Sequence, residues 1–474
     1  MKKKILIIGA GPAGMACAME LFRKGISFTL VDKDKQVGGL SKTYKFGKFR
    51  TDNGPHRFFS KNKYLYGFIE DILQEDWIVV NRSTRQFIDG KYYDYPINAI
   101  QAFKNIGIKK ALIMFLDYVS AAIQYRVFGK KIRSFEDYIV ANFGRTLGEF
   151  NMLNYTEKIW GMSCKLLHPE WARQRIKGLS FRSALIGAVR NSLSLKNLNT
   201  PKTMIDQFYY PSHGTGQIYE KIKEKIEKKN EVLLNDYPIH ISHTKKRIST
   251  VLLNSGKEIP VHRLVSSIPI GLFINLLDPP APEKIIAAAN KLKFRSQVYL
   301  FVTINKKRLT KDQWIYFPSL GFPIGRISEM KNFSDKMAPP DKTSLFVEFF
   351  CWEGDDIWKM SKGRLFEITI KNLEKIGLLK RSNVINYYYF KKEYVYPVYD
   401  LQYKKNLKVI QNYLDEFSNL IYIGRPGRFK YTNQDHSLEM GILAARSIIT
   451  KKRLNVENVG AEKEYFEKGY APKN

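Results

Sequence analysis

The first hydrophobic run, Ile5-Leu6-Ile7-Ile8, is unbroken and rich in β-branched residues, the pattern of a short strand buried on both faces. It leads directly into Gly9-Ala10-Gly11-Pro12-Ala13-Gly14. Apolar residues then recur at helical spacing from Ala13 to Lys24, and Gly25 closes the segment. Ser27 to Asp32 predicts a second strand ending on an acid. Between 76 and 95, "WIVV", "RQFI" and "KYYDY" are aromatic and β-branched, separated by turn signals at Ser83 and Asp89-Gly90, and predict three strands. Residues 97–190 are mainly helical in pattern, and 231–270 return to strands. A sheet-rich segment over 296–351 and two closing helices complete the outline.

Strand, glycine turn, helix, strand, acid is an order with a chemical reading. Gly9, Gly11 and Gly14 permit a tight turn and the close approach of a pyrophosphate, and the helix start offers unpaired N–H groups. Asp32, 18 residues beyond the third glycine, is placed to accept hydrogen bonds from ribose hydroxyls. A second glycine pair follows in "VGGLSKTY", and Gly39, Leu40 and Ser41 resemble the continuation seen in FAD enzymes of the amine-oxidase and glutathione-reductase type. No second GxGxxG follows a strand downstream, so FAD is expected rather than a separate nicotinamide domain. The fold class expected is α/β. A discontinuous Rossmann-type FAD-binding domain (1–75, 216–285, 416–474) is joined by sheet strands with a mainly helical insertion (76–215) and an antiparallel-sheet substrate domain (286–415).

With 474 residues, two or three subdomains are expected. The net charge of +33 is spread in ones and twos with no basic tail, so it gives no support to nucleic-acid binding. Cys17, Cys164 and Cys351 are far apart and never in CxxC spacing, which suggests neither disulfides nor a metal site and fits a reducing cytoplasm. The N-terminal apolar run enters a glycine turn and reads as mature protein rather than as a secretory signal. Residues 111–128 form the most membrane-like stretch, but Asp117, Gln124 and Arg126 interrupt it. A buried or surface-docked helix is expected there, with peripheral membrane contact as the remaining reading.

Six further stretches occur in a recognisable order: "GPHRFFSKN" (54–62), "TEKIWG" with "WARQRI" (156–176), "YYPSHGTGQIY" (209–219), "WIYFPSLGFPIGR" (314–326), "YVYPVYD" (394–400) and "GRPGRFKYTNQDHSLEMG" (424–441). Together they resemble the UDP-galactopyranose mutases, most closely the eukaryotic-type branch, over nearly the whole chain. The resemblance implies a flavoenzyme with no net redox change, in which N5 of reduced flavin attacks the anomeric carbon of a nucleotide sugar and UDP departs. The pyranose ring then opens and recloses as a furanose. NAD(P)H is the electron source the resemblance implies.

Carried over by motif, the resemblance implies that Arg175 and Arg326 grip the substrate diphosphate, that Tyr316, Tyr396 and Tyr431 hydrogen-bond it, and that Trp314 and Tyr95 lie on the substrate side. His56 matches a histidine under the isoalloxazine, Gly424 and Arg425 lie beside the flavin, and Asn433-Gln434 contact it. Asp435 or Ser437 is expected to cap a helix starting near Ser437. Two features depart from the family: "YPIN" puts Ile97 where an aromatic ring would stack on uracil, and the loop from Tyr431 to Asn433 is shorter. A mutase for another nucleoside-diphosphate sugar, an FAD oxidase or desaturase, and a flavin carrier without turnover are the alternatives.

Overall fold

The computed structural model describes residues 4–95, 105–172, 207–244 and 246–460. Arg175, Ile97 and Asn98 lie outside these residues.

Lys4–Ile8 sits near the middle of an eight-stranded sheet, paired in parallel with Phe28–Asp32 on one side and Glu258–Ser266 on the other. Its apolar residues are buried on both faces, which is why the run shows no polar alternation. Glu231–Leu234 and Leu420–Tyr422 extend the parallel part, while Pro238–Thr244 and Arg247–Leu253 add antiparallel strands. One sheet is thus assembled from three distant stretches of chain. The helix Pro12–Arg23 packs against the C-terminal helix Gln434–Thr450 at backbone distance, since a Cβ on Gly441 would lie 2.1 Å from the Ala13 carbonyl oxygen.

A second, seven-stranded sheet runs in the order Val384–Pro397, Phe294–Ile304, Thr343–Cys351, Arg326–Glu329, Trp314–Tyr316, Thr84–Ile88, Lys91–Asp94. The 14-residue strand Val384–Pro397 corrects the expected outline, in which only two helices followed residue 351. Aromatic residues fill positions 387–390 and Lys391-Lys392-Glu393 follow, so period-two alternation is lost. The strand is set by its pairing with Phe294–Ile304 from end to end. Among the described residues, three long helices follow Cys351, namely Lys362–Lys375, Tyr403–Leu414 and Gln434–Thr450.

The helical insertion includes Ile108–Arg126, Phe135–Phe143 and Asn154–Trp160. Ser134 and Asp137 close a reciprocal cap at the start of the second of these. Among the described residues, no helix is long and apolar enough to cross a membrane.

Candidate functional site

The nucleotide end is built by backbone. Gly9 (φ +98°) donates to the Val31 carbonyl at 2.8 Å, and Gly38 (φ +104°) donates to the Ala10 carbonyl at 2.8 Å, so the two glycine turns lock together. Gly39 has φ +55°, and a Cβ there would stand 3.0 Å from Gly11 Cα, so these two glycines face each other without side chains between them. The helix from Pro12 has no side-chain cap and no acid in its first turn, which leaves its N–H groups to an incoming anion. Asp32 accepts from Ala10 N at 2.6 Å through Oδ2 and from Asp34 N at 2.8 Å through Oδ1. Burial raises the pKa of its carboxyl. Each oxygen retains a second lone pair, so clamping the turn and accepting from a ribose are compatible. Leu40 and Ser41 lie in the short turn Gly39–Ser41 beside this cradle. The donors and the glycine cradle fit a dinucleotide.

The other end gathers residues hundreds of positions apart. Tyr316 and Arg326 are opposite each other across adjacent strands, and the guanidinium carbon lies 5.7 Å from the phenol centroid. Tyr155 packs edge-on to Tyr316 at 5.4 Å, and Tyr95 lies 5.2 Å from Tyr316 on another side. Tyr396 and Tyr431 stack at 5.6 Å, with Trp160 edge-on to Tyr396 at 6.1 Å and Trp171 edge-on to Tyr431 at 4.7 Å. Burial, then the neighbouring Tyr431, pushes the Tyr396 hydroxyl up to about 12, so it enters any chemistry protonated.

Arg326 is not a bare cation. Its Nε donates to Glu348 Oε1 and its Nη2 to Oε2, both at 2.7 Å, and Gln297 Nε2 adds a third bond to Oε2 at 3.1 Å. Nη1 stands outside this fork. Trp314 is buried and stacks on Phe333 with centroids 6.0 Å apart, and it meets Tyr316 edge-on with centroids 6.5 Å apart. It backs the phenol cluster from the core.

His56 donates through Nδ1 to the Gly54 carbonyl at 3.2 Å, because a carbonyl can only accept. Burial, then Arg425 and Arg326, lowers its pKa to about 3. The ring is therefore neutral and presents Nε2 as an acceptor. Gly54 itself has φ +99°, and a Cβ there would lie 3.1 Å from Glu348 Oε1 and 3.3 Å from Arg326 Nη2, which brings the histidine loop against the arginine pair.

Arg425 donates through Nε and Nη2 to the Thr432 carbonyl and through Nη1 to the Val395 carbonyl, with its guanidinium 5.4 Å from the Tyr396 ring and 5.0 Å from the Tyr431 ring. It ties the 424–432 loop to the strand carrying Tyr396. Gly424 (φ +76°) packs on Ala13, where a Cβ would stand 3.2 Å away. The helix begins at Gln434 rather than near Ser437: Asn433 caps it, closing a reciprocal cap with the His436 ring. Asp435 lies inside the first turn, so neither Asp435 nor Ser437 is the cap. A histidine at the third helical position replaces the usual Glu or Gln of a capping box, which hid the start in the sequence. Gln434 donates to the Tyr219 hydroxyl at 2.5 Å.

Several residues escaped the sequence reading. Glu348 is the lone charge in the buried strand "TSLFVEFFC", a signal in itself. Tyr155 and Trp160 lie in or beside a quoted motif without having been singled out. Lys158, on the same helix, donates to the carbonyls of Phe317, Ser319, Phe322 and Ile324 at 2.5, 2.6, 2.7 and 3.3 Å, pinning the loop between Tyr316 and Arg326. Arg295 caps the end of that helix at Ile159 O, 2.8 Å away. Both amide atoms of Asn53, beside Gly54, are buried without a hydrogen-bond partner among the described residues.

Residues 12–404 match the family model for flavin containing amine oxidoreductases. A probable UDP-galactopyranose mutase of Klebsiella pneumoniae is 27% identical over 169 residues, 34% of this chain and 41% of the relative. An L-amino-acid oxidase of Crotalus adamanteus is 21% identical over 342 residues, 68% of this chain and 64% of the relative. The chain thus spans less than two thirds of either relative's length. The fold is similar to that of a reduced UDP-galactopyranose mutase, with TM-score 0.82 and 23% identity over 98% of this chain and 97% of that one.

Proposed function

The chain belongs to the flavin-containing amine oxidoreductases, and from that premise we propose that it is an FAD-dependent nucleotide-sugar mutase interconverting UDP-galactopyranose and UDP-galactofuranose for cell-surface glycan synthesis. The observation that carries the reading is the cluster around Arg326: Tyr316 faces the guanidinium, Tyr155 packs on Tyr316, Tyr155 and Tyr396 act on the arginine's charge, Tyr431 stacks on Tyr396, and neutral His56 feels the same cation. Phenol hydroxyls and a guanidinium edge suit a diphosphate that gains charge as it leaves.

Bound FAD, once reduced, supplies the electron-rich partner for the anomeric carbon, and NAD(P)H is the proposed electron donor. Arg326 Nη1 and Arg175 hold the diphosphate oxygens, and Tyr316, Tyr396 and Tyr431 donate to them. Tyr95 lines the nucleoside side. His56 accepts through Nε2 at the flavin face, a positioning and basicity-setting part rather than a proton donor, because its ring carries no charge to give up. The Asn53 amide, buried two residues after Thr51 and beside Gly54, has its NH2 and its oxygen without a partner among the described residues and is available to a ligand group.

Purified protein, reduced under nitrogen and incubated with UDP-galactofuranose, is expected to yield UDP-galactopyranose by ion-exchange chromatography. Arg326→Ala is expected to abolish most of that conversion. Unchanged turnover in Arg326→Ala would overturn the assignment.

A second reading is favoured by one observation: Glu348 neutralises Arg326, which a site for an uncharged amine or polyene would tolerate better than a diphosphate site. An FAD oxidase would consume oxygen with its substrate and leave UDP-sugars untouched.

A further inference from the structure

The helix Ile108–Arg126 turns Met114, Tyr118 and Ala121 into the protein and leaves its opposite face bare. Leu112 is 56% exposed, Leu116 58% and Ile123 43%, and the ends are barer still, with Ile108 at 76%, Val127 at 73% and Phe128 at 78%. Positions 108, 112, 116, 123 and 127 follow helical spacing, so these residues form one continuous stripe about 28 Å long. A contiguous apolar stripe of this length is unlike the scattered exposed leucines of an ordinary surface.

The charges around it are as ordered as the stripe. From Ala111 to Tyr125 the only Asp, Glu, Lys or Arg is Asp117, and it faces away, accepting from Thr146 N at 2.6 Å. Lys109 and Lys110 stand at one end, Arg126, Lys130 and Lys131 at the other. Lys110 has one exposed partner, Asp89 at 3.2 Å. A second copy laid on the stripe would set cations against cations in either orientation, parallel or antiparallel, and Asp89, the exposed acid at the Lys110 end, is already paired. An anionic surface with an apolar layer beneath it matches both features at once, and the chain's net charge of +33 adds long-range attraction.

We propose that this face docks on an anionic lipid membrane, the helix lying in the plane of the interface with Leu112, Leu116 and Ile123 inserted and the terminal cations among the headgroups. Ile108, Val127 and Phe128, each next to or near a cation, are the end anchors. The inference rests on the exposed helix alone and is independent of which reaction the flavin site performs.

The test is flotation of the flavin-loaded full-length protein with vesicles of phosphatidylcholine alone and of equimolar phosphatidylcholine and phosphatidylglycerol. Binding to the anionic vesicles is expected at least about tenfold above binding to the neutral ones, falling as salt is raised. Leu116→Glu combined with Phe128→Glu is expected to lose this binding while the flavin spectrum stays unchanged, which separates docking from folding. Lysine-to-glutamine changes at Lys109, Lys130 and Lys131 give a second, milder arm with the same direction. The proposal is overturned if wild type floats with neither vesicle at low salt. It is equally overturned if the double variant floats undiminished, or if sedimentation without lipid shows a dimer that Leu116→Glu converts to monomer.

Discussion

Replacing Glu348 by Gln tests how the arginine of the reactive cluster is held. The carboxylate receives two bonds from Arg326 at 2.7 Å and one from Gln297 at 3.1 Å while 1% exposed. A glutamine keeps the shape but turns one acceptor into a donor, so one of the three bonds becomes a donor facing a donor. A charge-assisted hydrogen bond contributes about 1.5–3 kcal/mol, and breaking a buried pair costs about 3–5 kcal/mol in all. Because shape and one acceptor survive, about 3 kcal/mol is the expected loss. At about 2.1 cal/mol/K per residue, 474 residues have an unfolding entropy of about 1 kcal/mol/K, so the melting midpoint should fall by about 3 °C. Affinity for UDP should move the other way. With its counter-charge gone, Arg326 attracts a diphosphate more strongly, and a gain of about 1.4 kcal/mol, tenfold in Kd, is a conservative share of the Coulomb energy at an effective dielectric of about 20. Differential scanning fluorimetry and isothermal titration with UDP read both quantities on one preparation. A variant that melts with wild type, or one that binds UDP more weakly, would refute the argument that Glu348 holds the arginine's charge in check.

Three further outcomes are expected. The unfolded chain binds a proton at His56 near pH 6.5 while the folded protein does not until about pH 3, so this group removes stability as pH falls between those values, by up to about 1.4 kcal/mol per unit. Urea midpoints at pH 7 and pH 5 should therefore converge in His56→Gln relative to wild type, and an identical acid loss in both proteins would contradict the burial. Lys158→Met should release the loop between Tyr316 and Arg326 and lower kcat/KM roughly ten- to hundredfold, mostly through KM, with the flavin spectrum unchanged. Gly39→Val places a branched side chain at φ +55° and against Gly11, so the protein should purify largely colourless; a full flavin complement would exclude this turn from the cofactor cradle.

The parts legible in the sequence are those where one residue type has one physical use. The unbroken Ile5 to Ile8 run declares a strand with two dry faces, and glycines with positive φ at 9, 38 and 39 declare turns that side chains would block. The long strand ending at Pro397 was hidden because its partner, not its own alternation, defines it. The Asn433 cap was hidden because His436 does the work that an acid or amide usually does. The Arg326–Glu348 fork joins residues 22 positions apart, and nothing local to either residue reveals it. Lys158 likewise reads as an ordinary helical lysine until the fold brings four carbonyls around its ammonium. Spacing supplies candidates, and only the sheet registers decide which of them meet.

Turnover at a reduced flavin without net electron transfer, as proposed, is tested most directly by counting product and flavin oxidation state together. Under strict anaerobiosis, protein reduced by one equivalent of dithionite per flavin is mixed with excess UDP-galactofuranose, and product and flavin absorbance are followed. Many equivalents of UDP-galactopyranose per flavin, with the flavin still reduced at the end and the oxidised protein inert, is the expected result. Reoxidation of the flavin in step with substrate loss, or equal conversion by the oxidised protein, would contradict it.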